Sequence, residues 1–162
     1  MLPSGPGLLA WAASDMAYRK LPIIALVVAV LVTGTAASAD AGALQRRGRM
    51  LHLLNGVRRH HDRPAFRINR NLSSDALRHS RRMAGSGEVF HTQDLYQVVR
   101  SYSPSCWGEN VGMAGSMKRV LRLWMHSSGH RSNILKRAFR RVGVGVARSG
   151  GSVWVTVIFY GG

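Results

Sequence analysis

The sequence is short of cysteine and of negative charge. A single cysteine, Cys106, in 162 residues excludes an internal disulfide framework, so the fold must rest on its apolar core. Seven acidic residues stand against 23 basic ones, a formal net charge of +16. Any carboxylate near histidines is therefore conspicuous. Twenty of the basic residues are arginine, scattered over 46–49, 58–70, 78–82 and 137–141. Such a surface attracts polyanions without selecting among them, and arginine-rich coding gives the same excess. Zinc-finger spacing and RNP-type strands are absent, so specific nucleic-acid binding is not expected. There is no HExxH pair, no nucleophile elbow and no Ser-His-Asp order, and internal repeats and low-complexity stretches are missing too.

Long apolar runs are also scarce. One begins after Arg19-Lys20, where residues 21–39 carry no charge. Its apolar core, Leu21–Val32, gives way to small residues ending in Ala37-Ser38-Ala39, the pattern of a secretory signal peptide cleaved before Asp40. Residues 1–15 do not suit such a leader, and Met16 offers an alternative start. Cleavage would remove Asp15, Arg19 and Lys20 and leave +15. The expected location is extracellular. The alternative is a signal anchor that stays in the membrane.

Residues 40–162 then suffice for a single domain with a modest core. Leu44, Met50, Leu51, Leu54 and Val57 recur at helical spacing and predict a helix over 43–61, with Arg46, Arg47, Arg58 and Arg59 largely on its outer side. Asp62-Arg63-Pro64 ends it. A connector, 65–72, leads to a helix over 73–84 capped by Ser73 or Ser74 and stopped by Gly85-Ser86-Gly87. His91 follows in a loop. A short helix is expected over 94–102. Glu109 and Asn110 lie between glycines, in a turn or short strand. Ser116 caps a helix over 117–127 that turns Val120, Leu121 and Trp124 inward, and Gly129 ends it. His130 then sits in a Ser-Gly-His-Arg turn, with at most one helical turn over 132–135. Val142–Ala147 and Val153–Tyr160 read as strands joined by Ser149-Gly150-Gly151-Ser152 into a β-hairpin. Helices first and strands last predict an α+β domain with a helix-covered antiparallel sheet. Cys106, Trp107 and Trp124 are read as packed side chains, and His126 as solvated.

The chemistry gathers in Cys106–Leu135 and in His91, eighteen residues before Glu109. Two neutral imidazoles, His91 and His130, with Glu109 as a third ligand or an outer partner, are able to take a divalent ion such as Zn²⁺ or Mg²⁺. Alternatively, Glu109 accepts a proton from each imidazole and the three form a structural cluster. An enzyme would use Glu109 as general base on a metal-bound water.

These residues resemble the CAP superfamily (cysteine-rich secretory, venom allergen and pathogenesis-related proteins), in particular its small bacterial members. The likeness covers about residues 50–160. It is carried in order by Leu53-Leu54-Asn55 with Arg58, by Ala76 with His79-Ser80 and Met83-Ala84, by His91, and by Gly108-Glu109-Asn110-Val111-Gly112. Trp124 with Ser127, Gly129-His130-Arg131 and Asn133-Ile134-Leu135 continues it, and Gly143-Val144-Gly145-Val146-Ala147 completes it. The resemblance implies a three-layer α-β-α sandwich whose cleft holds two histidines and two acids. His91, His130 and Glu109 match three of them. Ser127 stands where the second acid is usual. His79, Asn110 and Ser127 are expected to line the cleft. The implied role is a secreted binding module at the cell envelope, taking a lipid, an envelope polymer or a protein. A metal-assisted hydrolase and a purely structural cluster are the alternatives.

Overall fold

The computed structural model describes the backbone of residues 21–162 and the side chains of residues 41–162. Two units are distinguished, residues 1–39 and 40–162. The expected leader and the start at Met16 lie outside the described residues, apart from a helical backbone from Leu21 onward. Among the described residues no helix is long and apolar enough to cross a membrane.

Helix α1 spans Leu21–His60. In the second unit it buries Met50 and Leu54 completely. Two expectations fail on it. Leu44 is 54% exposed, and Arg58, placed on the outer side by its spacing, is fully buried. Asp62, at φ 52°, turns the chain, and Pro64 prevents the helix from continuing. Inside the expected connector lies a two-residue strand, β1 (Arg67–Ile68). Helix α2 (Arg70–Ser86) starts earlier than predicted, because the Asn69 side chain, not Ser73 or Ser74, accepts from Leu72 N. Ser73 is buried instead. It donates to Asn69 O at 2.6 Å and accepts from Val144 N at 3.1 Å. Gly87, at φ 75°, caps α2 by donating to Met83 O.

The expected helix over 94–102 is a short α3 (Leu95–Val99), capped by Asp94, followed by a 3-10 turn over Arg100–Tyr102. Glu109 and Asn110 lie in a nine-residue strand, β2 (Cys106–Ala114). Helix α4 (Met117–His126) begins at the predicted cap, with Ser116 accepting from Arg119 N. Gly129 does not end the helical region. It lies inside α5 (Ser128–Leu135), which also carries His130. Strands β3 (Arg141–Ser149) and β4 (Ser152–Gly161) form the predicted hairpin, with Gly150 and Gly151 at φ 55° and 74°, as a two-residue turn between right-twisted strands requires.

The sheet order is β1-β3-β4-β2. β2 and β3 both run antiparallel to β4, while β1 is parallel to β3. The sheet is therefore mixed, not purely antiparallel. Its two faces follow the strand alternation. Val153, Val155, Val157 and Phe159 of β4 join Val142, Val144 and Val146 of β3 beneath α1, α4 and α5, in the main core with Met50, Leu54, Trp124 and Ile134. Ile158 and Tyr160 face α2 and α3 with Leu72, Ala76 and Val99. Trp154 joins Met83, Val111 and Ala147 on that second face. Bare glycines at 143 and 145 let α2 lie directly on β3: a Cβ there would collide with the backbone of Leu72 and Ala76. The result is the expected α-β-α sandwich.

Candidate functional site

β2 is an edge strand. An uncovered edge is an open template for another chain, and here two helices cover it. Trp124 of α4 donates its indole N–H to Val111 O at 2.9 Å, and Asn133 of α5 donates to Glu109 O at 3.2 Å. Asn133 also donates to Asn110 Oδ1 at 3.0 Å, and Asn110 donates to His130 O at 3.0 Å. Asn110 is thus fully buried and ties β2 to α5, which corrects its expected place on the cleft wall. Gly108 and Gly112 leave room for this covering, since a Cβ would press on Asn133 or on the Trp124 indole.

Side chains alternate across β2, so Glu109 points to the other face, toward the loop after α2. Its carboxylate is 3% exposed. It accepts from His91 Nδ1 at 2.8 Å, from Thr92 N at 2.9 Å and from Thr92 Oγ1 at 2.6 Å. A carboxylate offers about four acceptor positions, so most of its capacity is committed to this one loop. The His91 side chain is 61% exposed. With Nδ1 bound to Glu109, its Nε2 edge is the one left for a ligand. The anchoring resembles the carboxylate–histidine pairing that orients metal-binding imidazoles.

His130 arrives from the opposite layer. Its Nδ1 lies 2.8 Å from Ser127 Oγ, and its ring stacks on Trp124 at 6.1 Å between centroids. Burial lowers its pKa below the ordinary histidine value, and the nearby His91 lowers it further. Glu109 therefore holds one imidazole, not both, and Ser127 serves the second. Val111–Met113, Val120, Leu123, Trp124, Ser127 and His130 line an open apolar pocket of about 280 Å³. Among the described residues no three His, Cys, Asp or Glu side chains are gathered closely enough to hold a metal ion.

His79 is only 3% exposed. It lies under the loop, with its ring edge-on to Phe90 at 5.1 Å and Nδ1 3.1 Å from Thr156 Oγ1. Burial is the main cause that lowers its pKa. Arg82 and His91 push the same way, while Glu109 and the His91 backbone oppose. Trp107, read as a packed residue, is 42% exposed and touches Tyr96 at 5.0 Å between centroids. His126 is exposed, as expected, and Cys106 is half-buried.

A sequence profile of the cysteine-rich secretory protein family, CAP, matches residues 51–159. YkwD of Bacillus subtilis (strain 168), an uncharacterized protein, is 30% identical over 129 residues, covering 75% of this chain and 50% of that protein. The chain thus spans about half the length of this relative. An extracellular protein containing an SCP domain from Bacillus anthracis superposes with a TM-score of 0.63 at 22% identity, over 74% of this chain and 41% of that one. An outer surface protein of Borrelia burgdorferi gives 0.65 at 15% identity, over 72% and 92%. At these identities the two structures speak to the fold.

Proposed function

The chain belongs to the cysteine-rich secretory protein family, and from that premise we propose that it is an extracellular binding module that works at the cell envelope without turning over a substrate. One observation carries the reading: the Glu109 carboxylate is buried and committed to three donors of the His91–Thr92 loop. A general base must be free to take a proton from water. Glu109 instead acts as a clasp that fixes His91 and leaves its Nε2 edge outward. His130, held by Ser127, supplies a second imidazole from the other layer. The extracellular and outer-surface proteins of similar fold support the location. A charge of +15 on residues 40–162 favours retention on anionic envelope material.

A tightly held resident metal fits these residues poorly, because the one carboxylate is used up within the protein. Two imidazoles would hold Zn²⁺ only weakly, with water or ligand atoms completing the coordination. Zn²⁺ is therefore the first probe of the cleft. Calorimetric titration should show weak, saturable binding that disappears in the His91→Ala/His130→Ala double variant. Equal heats from both proteins would remove the two-histidine cleft from consideration. Glu109→Gln tests the clasp. It should lower stability by about 1–3 kcal/mol, the cost of disrupting buried charge-assisted hydrogen bonds. Hydrolytic turnover that requires Glu109 would reverse the conclusion.

A further inference from the structure

Along the chain the arginines are scattered, but the fold gathers two groups of them. Residues 62–69 run beside residues 135–142 at the β1 edge of the sheet. There β1 pairs with β3, with Arg67 in register with Arg141 and Ile68 with Val142. Arg67 N donates to Arg140 O at 2.9 Å, and Asn69 N donates to Val142 O at 2.8 Å. Arg63 Nε donates to Leu135 O at 3.0 Å. The buried Arg58 donates to carbonyls of both segments, Pro64 in one and Lys136 and Phe139 in the other.

Arg63, Arg67, Lys136, Arg137, Arg140 and Arg141 therefore share one corner of the domain. All are exposed except Arg63, which is half-buried. Asp62 is the one carboxylate in the two segments, and residues 110–162 contain none. Among the described residues the ion pairs are Arg78–Asp75 and His91–Glu109, so no carboxylate neutralises this ribbon. Its charges act on one another. Arg67 and Arg141 are register partners, and like charges side by side oppose strand pairing. Burial first, and then the charges of Arg140 and Arg63, lower the Arg58 pKa to about 10. The fold carries this repulsion at an edge strand only two residues long. An external anion relieves it.

We propose that this ribbon is the docking surface for a linear phosphodiester polymer of the cell envelope, with phosphates lying along the cations of residues 63–67 and 136–141. The proposal rests on the envelope reading above and names the surface behind it. Guanidinium forks match phosphate oxygens in a bidentate manner. A chain of spaced phosphates gains from each added contact, because each releases counterions. A bilayer fits less well. Among the described residues no exposed large apolar side chain belongs to the ribbon, and binding to a membrane interface uses such anchors. Unpaired bases likewise find no exposed Phe, Tyr or Trp ring there to stack on.

The test titrates a poly(glycerol phosphate) oligomer into the intact protein at several salt concentrations. Arg67→Gln/Arg141→Gln is compared with Arg81→Gln/Arg122→Gln, which removes the same charge from exposed positions on α2 and α4. The ribbon variant should bind about tenfold more weakly, and its slope of log affinity against log salt should shrink by roughly 1–2. The control should stay within about twofold of the parent. The ribbon variant should also melt at or above the parent's temperature, since a like-charge pair is gone. Equal losses in the two variants would overturn the ribbon and leave retention by net charge standing. No binding by the parent would remove the retention reading itself. Tighter binding of duplex DNA or of phosphatidylglycerol vesicles, at equal charge, would give the surface to nucleic acid or to lipid. A ribbon variant that melts well below the parent would make the two arginines supports of the fold, against the proposal.

Discussion

Arg58 shows what one side chain does for this fold. Its guanidinium donates to Pro64 O at 2.6 Å, Ile134 O at 2.8 Å, Lys136 O at 3.0 Å and Phe139 O at 3.1 Å. It also stacks on Phe66, 3.9 Å from the ring centroid. These carbonyls include those at the end of α5, which have no partner within the helix. Burial, then Arg140 and Arg63, lower its pKa to about 10, so it stays charged at neutral pH. Arg58→Ala would orphan four carbonyls at once. Chemical denaturation should show a loss of about 3–5 kcal/mol. Arg58→Lys, which keeps the charge and loses the planar fork, should recover only part of that.

Among the elements, α2 is bound to the sheet by close approach. Gly143 and Gly145 are the positions where β3 has no side chain, and the helix backbone fills that space. Gly145→Ala should therefore lift α2 and cost about 1–3 kcal/mol or more. The same substitution at Gly85, where a Cβ meets nothing within 4 Å, should be near neutral. Helix α4 works differently: Trp124, 2% exposed, closes both the main core and the edge of β2. Trp124→Ala should cost about 3–5 kcal/mol and, by uncovering that edge, increase aggregation.

For the whole molecule, the buried His79 and the half-buried His130 set a pH dependence. His79 and His130 are both held below their unfolded values, chiefly by burial. Glu109, Arg82 and His91 are the charged or titratable groups acting on His79. A histidine depressed in the folded state binds more protons when unfolded, so stability rises with pH in that window. The contribution is fully present above the ordinary histidine pKa of about 6.5 and is lost as pH falls from there through the folded value. Melting temperature measured from pH 7.5 down to 5 should fall, and His79→Asn should flatten part of the slope. An unchanged slope in that variant would mean His79 is not buried neutral.

Composition and local pattern are enough for the order of helices and strands, the hairpin with its glycine turn, the Ser116 cap and the family motifs. Each is a matter of periodicity, capping or turn chemistry, and such signals survive without neighbours. They also single out Glu109, His91 and His130, because an acid is rare in so basic a chain. What those residues touch is a matter of tertiary packing. β1 is two residues long and exists only through its pairing with β3. α5 passes through Gly129 in a stretch of poor helix formers. Helical spacing points Arg58 outward because it records only which side of a helix a residue occupies. The carbonyls of α5 that satisfy it lie more than seventy residues away in the chain. Sequence proximity puts Glu109 between two histidines, yet strand alternation sends it to one face of an edge strand while His130 arrives on the other. Which face a side chain takes follows from the strand, and which partners wait there follows from the packing of distant segments.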